Sequence, residues 1–486
     1  MIENTNLKEL LTGVESVQYG SEKETPVSDI VYDSRLAKPG SVFIAISGHK
    51  QDGHDFVDQA LADGCVAAVV EKETGDPARQ VVVKDTRLAL AVMSANLFGH
   101  PSSGLKLLGV TGTNGKTTCT YLIESILKKA GYRTGLLGTV EYKIADEMLP
   151  VGRTTPESYD LQKLLSRMVK EGVKATVMEV SSHALELKRV YGCDFDCKIF
   201  TNLSQDHLDF HGDMEKYFKA KNLFFEHKTG VPVINMDDPF GRRILKGQDD
   251  YVTYAIEEPA DVRAENIESI ETGSSFDLVY LRNRTRIDLR LMGRFNVYNA
   301  LASGAAALSQ GIDFQTIKVG LEGVGSIPGR FETVDAGQKF KVIVDYAHTP
   351  DSLRQAMTAA RSLAKGRVIT VFGCGGDRDQ EKRPMMGKAA AELSDKTIIT
   401  SDNPRSEDPE SIISQVAAGF EGTNAVFEEI GDRKQAIERA LKEAAEGDVV
   451  LIAGKGHEKV QEFKDETVPF DDRDVAIWTL QESNNK

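Results

Sequence analysis

Residues Gly112-Thr-Asn-Gly-Lys-Thr-Thr118 place glycines, a lysine and hydroxyls at the spacing that phosphate chemistry uses. Glycines let backbone N–H groups converge on phosphate oxygens, and a helix starting there adds partial positive charge. Lys116 can reach the β- and γ-phosphates of ATP, and the Thr117 hydroxyl can ligate Mg²⁺. Gly112, Thr113, Asn114, Gly115 and Thr118 complete the loop. The pattern departs from strict G-x4-G-K-[ST], because Val110 stands where the first glycine belongs and Gly109 precedes it. An ATP-dependent enzyme is expected. The rival class is a motor, switch or transport ATPase, in which Glu179 of Val177-Met-Glu-Val-Ser-Ser182 would be the acid at a strand end.

What separates the two is a second substrate site. Three candidate loops lie near the C-terminus, Gly373-Cys-Gly-Gly-Asp-Arg378, Asp402-Asn-Pro-Arg405 and Gly454-Lys-Gly-His-Glu458. Taken alone, Asn403-Pro-Arg405 could be a turn with a solvated arginine.

The elements that must carry these residues alternate. Leu107-Leu-Gly-Val110 reads as a short strand before the phosphate loop. After the loop, Leu122, Ile123, Ile126, Leu127 and Ala130 recur at helical spacing until Gly131. Further strands are expected at Ala175–Val180, Cys197–Thr201 and Val231–Asn235. Ahead of them, Ser41–Ile46 and Ala67–Val70 flank a helical pattern at Phe56–Leu61, and His100-Pro-Ser-Ser-Gly104 reads as a linker. From Ser326 onward four apolar runs, Val342–Val344, Val368–Val371, Thr397–Ile399 and Val449–Ile452, each precede a polar, Gly- or Pro-containing loop. That alternation predicts a doubly wound parallel sheet, whose ligands bind beyond the carboxyl ends of its strands.

With 486 residues the chain has room for about three domains at roughly 150 residues each. Apolar residues are 41% and charged residues 27%, the balance of a soluble globular protein. The net charge of −15 argues against general binding to nucleic acid or anionic membrane, both polyanions. Met1-Ile-Glu-Asn-Thr carries no secretory pattern, and five scattered cysteines suit a reducing cytoplasm, so a cytoplasmic chain without membrane insertion is expected.

The phosphate loop, together with Asp33-Ser-Arg35, Thr154-Thr-Pro-Glu157, Glu179-Val-Ser-Ser-His183, Asn202–Gly212 and Gly293–Ala302, resembles the Mur ligase family over nearly the whole chain. The resemblance implies an α/β fold of three domains. These would be a UDP-binding domain at 1–100, a central P-loop ATPase domain at 101–330 and a Rossmann-like amino-acid domain at 331–486. It implies a monomeric, ATP- and Mg²⁺-dependent ligase of peptidoglycan precursor synthesis. Residue by residue, Ser34, Thr154, Thr155, Ser181 and Arg189 would hold UDP-N-acetylmuramoyl-L-alanyl-D-glutamate, with Leu187 standing where a polar contact is expected. Glu179 and His207 would ligate Mg²⁺ beside Thr117, and Lys221 would do so as a carbamate (N6-carboxylysine). Without the resemblance, Lys221 would be read as a solvated helix lysine and His207 as a surface hydrogen-bonding group. Asn299, Arg330 and Asp345 would approach the nucleotide, although Arg330 and Asp345 could equally be a capped turn and a buried carboxylate.

In this family Asp-Asn-Pro-Arg marks enzymes that take meso-2,6-diaminopimelate rather than lysine. Asp402, Asn403, Pro404 and Arg405 would therefore bind that amino acid, with Arg378, Gly454 and Glu458. Diaminopimelate carries a second carboxylate at its far end, which a guanidinium can grip bidentately. Lysine offers only its ammonium there, which Arg405 would repel. Two other readings stay open, a lysine-adding or folylpolyglutamate-type relative and a non-ligase P-loop ATPase.

Overall fold

The structure, a computed structural model, describes residues 5–20, 24–48, 51–227, 229–270 and 272–484. The first four residues, on which the reading of the N-terminus partly rests, lie outside the described residues. The chain forms two compact units. One comprises Met1–Thr111, Ala130–Ile199 and Ala220–Pro232, and the other Gly112–Lys129, Phe200–Lys219 and Val233–Lys486.

In the first unit, a five-stranded sheet runs in the order Ser16–Tyr19, Gln80–Val83, Ala67–Val70, Ser41–Ile44, Asp29–Val31. All neighbours are parallel except the first pair. Val42, Ile44 and Val69 pack on one face against the helix Thr86–Phe98, whereas Phe43, Ala68 and Val70 face Val57 and Leu61 on the other. Alternation along each strand thus buries both faces, as parallel sheets require. The expected linker at 100–104 is instead a 3₁₀ turn, Pro101–Gly104, with Pro101 and Ser102 buried. The Ser102 hydroxyl accepts the Asp194 N–H at 3.1 Å, which ties the turn into the unit. The same unit contains the strands Lys106–Thr111, Ala175–Glu179 and Thr134–Leu137, with Ala175–Glu179 parallel to both others. The end of Ala175–Glu179 thereby carries Glu179 to a strand terminus.

In the second unit, the helix Lys116–Lys129 begins at the phosphate-loop lysine and packs on Arg294–Ser309 and Phe314–Glu322. Gly320 permits this closeness, since a Cβ there would lie 2.6 Å from the Ile126 backbone. Three long antiparallel strands, Val262–Ile270, Gly273–Tyr280 and Asn283–Leu289, form a meander in this unit. The C-terminal sheet has the order Glu332–Val334, Lys341–Asp345, Val449–Ala453, Val368–Phe372, Lys396–Ile399, Phe427–Glu429, antiparallel only at its first pair. Ile343 and Leu451 point into the core with Leu353 and Met386, while Val342, Val344, Ile369 and Ile452 face Ile437 and Ala476. The sheet is therefore doubly wound. The 373–378, 402–405 and 454–458 loops all follow carboxyl ends of its strands.

Candidate active site

The strand Lys106–Thr111 hands directly to the phosphate loop. Gly112 has φ +147°, and a Cβ on it would sit 1.8 Å from the Thr201 hydroxyl, so no side chain is tolerated there. Gly115 has φ +88°, and its missing Cβ makes room for the Asn299 amide oxygen, which would lie 2.3 Å away. The loop is shaped from behind by Thr201, Asn202 and Ser204, none of them among the expected site residues. Thr113 N–H donates to the Asn202 carbonyl (2.9 Å) and Asn114 N–H to Asn202 Oδ1 (2.9 Å). Ser204 N–H donates to the Thr113 hydroxyl (3.1 Å), and the Thr201 hydroxyl donates to the Asn114 carbonyl (2.7 Å). Lys116 Nζ lies over the loop, donating to the carbonyls of Gly112 (3.0 Å) and Thr113 (2.8 Å). Thr117 and Thr118 are buried at the helix start.

Arg330 reaches this loop from the C-terminal segment. Its Nη2 donates to Thr117 Oγ1 at 2.9 Å while its guanidinium stacks 4.4 Å from the Tyr346 ring centroid. Asp345 accepts the N–H groups of Phe331 (2.6 Å) and Ala347 (2.8 Å). Burial raises its carboxyl above the usual range, against the pull of Arg330 and those N–H groups. Arg330 thus contacts the phosphate loop, while the half-buried Asp345 holds the backbone around Phe331 and Ala347. Asn299 is buried and donates to Asn296 Oδ1 at 3.0 Å. His207 takes a left-handed backbone conformation (φ +54°), with Nε2 3.3 Å from Asp206 Oδ2. Burial would raise the Asp206 carboxyl, but His207, His348 and Lys382 together hold it well below the usual range.

The other unit gathers Glu179, Thr154, Thr155, Ser181 and Arg189. Glu179 is buried, and its two carboxylate oxygens accept from the N–H (2.8 Å) and hydroxyl (3.0 Å) of Thr139. The Thr139 hydroxyl also lies 3.0 Å from that of Thr154. Thr139 therefore links Glu179 to Thr154, a role with no signature in the sequence. Thr155 donates to the Glu179 carbonyl (2.9 Å) and accepts from Ser181 N–H (3.1 Å). Ser181 caps the helix Ser182–Glu186. Arg189 donates to Glu157 Oε2 (3.2 Å) and the Thr155 carbonyl (3.3 Å). Arg87 and Arg153 also approach Glu157, at 4.0 and 3.3 Å. Guanidinium groups outnumber the carboxylate they surround, as an anionic ligand would need. Ser34 opens a 3₁₀ turn capped by Asp33, and Arg35 pairs with Asp33, so Asp-Ser-Arg is a capped turn that presents Ser34. Lys221, in the helix Met214–Glu226, is only 1% exposed and is not the solvated lysine its helical setting suggests.

Among the described residues no group of three or more His, Cys, Asp or Glu side chains is assembled as a metal centre. Thr117 in one unit offers a hydroxyl and Glu179 in the other a carboxylate, each by itself an oxygen donor of the hard kind that Mg²⁺ takes.

Around the C-terminal sheet the three loops interlock. Asn403 Nδ2 donates to Glu458 Oε2 (2.8 Å), and the fully buried Lys455 donates to both Asn403 Oδ1 (2.8 Å) and Glu458 Oε2 (3.1 Å). Asp402 caps its own loop through Asn403 N–H (2.7 Å), and Pro404 is buried behind it. Gly454 (φ +114°) leaves space for Asp402, whose Oδ2 would be 2.5 Å from a Cβ. Arg405 Nη1 donates to the Gly376 carbonyl at 2.8 Å. Arg378 is exposed and donates within its own loop, to the Asp377 carbonyl at 3.0 Å. Lys455 and Glu462, the latter paired with Arg405 at 2.8 Å, lay outside the expected set.

Three segments match known domains. Residues 26–97 match the Mur ligase family catalytic domain, 110–307 the Mur ligase middle domain and 329–456 the Mur ligase glutamate ligase domain. A UDP-N-acetylmuramoyl-L-alanyl-D-glutamate–2,6-diaminopimelate ligase from Bacillus licheniformis is 46% identical, covering 98% of this chain and 99% of the relative. The Geobacillus thermodenitrificans protein of the same name is 48% identical, covering 93% and 94%. A solved structure titled as that ligase aligns with TM-score 0.71 and 32% identity, covering 99% of this chain and 100% of the other. With its phosphate loop, its mixed α/β three-domain fold and full-length similarity of this order, the chain belongs to the Mur ligase family.

Proposed function

We propose that this protein is an ATP-dependent ligase that joins meso-2,6-diaminopimelate to the D-glutamate γ-carboxylate of UDP-N-acetylmuramoyl-L-alanyl-D-glutamate. The observation that carries the choice of amine is Arg405, held by the Gly376 carbonyl in a loop whose Asn403 is hydrogen-bonded to Glu458 of the neighbouring 454–458 loop. A motor or transport reading accounts for the phosphate loop but for none of these loops.

The phosphate loop, with Lys116, Asn299 and Arg330, binds ATP. Ser34, Thr154, Thr155, Ser181 and Arg189 bind the UDP-dipeptide, Arg189 meeting a carboxylate. Its γ-carboxylate attacks the γ-phosphorus of ATP, ADP leaves, and an acyl phosphate results. The amine of diaminopimelate then attacks the acyl carbon, and phosphate departs as the amide forms. Lys116 would neutralise charge developing on the transferred group, and most of the rate would come from charge stabilisation and positioning. Mg²⁺, held by Thr117, Glu179, His207 and Lys221 as its carbamate, would neutralise phosphate charge when bound. Converting the buried Lys221 amine to a carbamate replaces a cation with an oxygen ligand, and its 1% exposure favours a modified or fully paired group.

Asp402, Asn403, Pro404, Arg405, Gly454 and Glu458 form the amino-acid site, with Arg378 as a second anion contact. The activity belongs in the cytoplasm, and a monomer suffices for it. Among the described residues no helix is long and apolar enough to cross a membrane. Omitting substrates one at a time tests the ligase reading. Sustained turnover to ADP should need the UDP-dipeptide and diaminopimelate together, and continued ADP formation with one of them omitted would reject it. Lys221→Ala should be inactive and partly rescued by a short carboxylic acid; an intact fold without rescue would count against the carbamate.

A further inference from the structure

The hairpin that follows the 454–458 loop makes a set of contacts the proposed activity does not by itself explain. Its strands Val460–Glu462 and Thr467–Pro469 pair antiparallel. The first strand is stitched to the 402–405 loop by four hydrogen bonds. Gln461 Nε2 donates to the Asp402 carbonyl (2.8 Å), Glu462 N–H to Asn403 Oδ1 (3.0 Å), Arg405 N–H to the Glu462 carbonyl (3.0 Å) and Arg405 Nε to Glu462 Oε2 (2.8 Å). Arg405 itself sits at φ +52°, a conformation that side-chain-bearing residues adopt only when their surroundings impose it. A cleft of about 540 Å³ opens beside it, lined by Arg405, Glu407, Phe463 and Lys464 among others.

We propose that Glu462 is a positioning residue that sets amino-acid specificity by fixing the orientation of the Arg405 guanidinium. Glu462 takes Nε and Gly376 takes Nη1, so among the described residues the bonds that fix the guanidinium leave Nη2 as the donor for a ligand carboxylate. A guanidinium pinned at two donors presents its remaining N–H groups to a carboxylate without first losing rotamer freedom. Glu462 also acts by charge, and its negative charge would by itself weaken carboxylate binding. The pair is partly solvated, with side-chain exposures of 25% for Arg405 and 43% for Glu462, so that charge effect is screened while the geometric constraint is not. Orientation therefore dominates. The inference rests on Arg405 receiving the distal carboxylate of diaminopimelate.

The test compares Glu462→Ala, Glu462→Gln and Arg405→Ala by steady-state kinetics with diaminopimelate and with lysine. Glu462→Ala should raise the diaminopimelate KM by about three- to ten-fold and lower the diaminopimelate-over-lysine ratio of kcat/KM by a similar factor. The KM values for ATP and the UDP-dipeptide should stay in place, which a general loss of structure would not allow. Glu462→Gln keeps an acceptor for Nε and should recover most of the loss, and it serves as the reporter where the alanine variant folds poorly. An unchanged or lowered diaminopimelate KM in Glu462→Ala, with Arg405→Ala impaired, overturns the role of Glu462 alone. Indifference to Arg405→Ala overturns the Arg405 reading and this one with it.

Discussion

Arg330 and Thr117 lie 213 positions apart in the chain, yet Arg330 Nη2 donates to Thr117 Oγ1 at 2.9 Å. The same guanidinium rests on the Tyr346 ring. A residue that opens the C-terminal segment is thereby tied to the hydroxyl proposed to ligate Mg²⁺. Arg330→Lys keeps the charge but loses both the planar stack and the directed fork. It should raise the ATP KM and lower kcat, with a combined loss of about tenfold or more, the effect of removing roughly 1.4 kcal/mol or more of charged hydrogen bonding. ADP formation at varied ATP measures this, and kinetics equal to the parent protein would deny Arg330 a role at the nucleotide.

Thr139 spans the Glu179 carboxylate and the Thr154 hydroxyl. In Thr139→Val the backbone N–H still reaches Glu179, but both hydroxyl contacts vanish beside a buried carboxylate. A hydrogen bond to a charged group is worth about 1.5–3 kcal/mol, so kcat/KM for the UDP-dipeptide should fall by at least tenfold and the Mg²⁺ requirement should shift upward. Thr139→Ser should restore most of it. Full activity in the valine variant would show that the Thr139 hydroxyl contacts do not matter.

Arg433 and Asp472 form an ion pair in which both side chains are wholly buried. Arg433 also donates to the carbonyls of Ser401 and Ala453, the residues immediately before Asp402 and Gly454. Removing one partner of such a pair leaves an uncompensated charge and costs about 3–5 kcal/mol. Asp472→Ala should lower stability by that order in urea unfolding. An Arg433→Met/Asp472→Leu double variant should recover stability but not amino-acid affinity, because the two carbonyl contacts are still lost. Recovery of both would make the pair purely structural.

Burial lowers the Lys198 ammonium to about 8 from an ordinary value of 10.5, while its Nζ donates to the His227 carbonyl. Between those two values the folded state binds fewer protons than the unfolded chain, so stability contributed by this group rises with pH across that window. Below about 8 the lysine carries a desolvation cost in the folded state. Lys198→Met should flatten the rise in unfolding free energy between pH 8 and 10.5 seen by denaturant titration. An identical slope in the variant would place the titration elsewhere.

The parts of this molecule that could be read from its sequence are those where local chemistry demands particular residues. The phosphate loop needs glycine at Gly112 and Gly115 for reasons visible in the backbone, and the four apolar runs of the C-terminal sheet are continuous because both of its faces are buried. The meander of Val262–Ile270, Gly273–Tyr280 and Asn283–Leu289 escaped notice. Its first strand mixes exposed charges with buried positions, and its pairing shifts register between Glu265 and Glu268, which breaks a simple alternation. Thr139 and Glu462 were equally hidden, since a single polar residue outside any motif acquires its role only from long-range contacts. Lys221 shows the same limit from the other side. In sequence it reads as a solvated helix lysine, and only tertiary packing reveals that it is enclosed.

The most direct test of the central claim is a competition in one vessel. Purified protein, ATP, Mg²⁺ and UDP-N-acetylmuramoyl-L-alanyl-D-glutamate are mixed with equal concentrations of meso-diaminopimelate and lysine, and the nucleotide products are resolved by mass. The account predicts the diaminopimelate adduct as the dominant product, formed with one ADP per amide bond. A lysine adduct in equal or greater amount, or ADP released without either adduct, would contradict it.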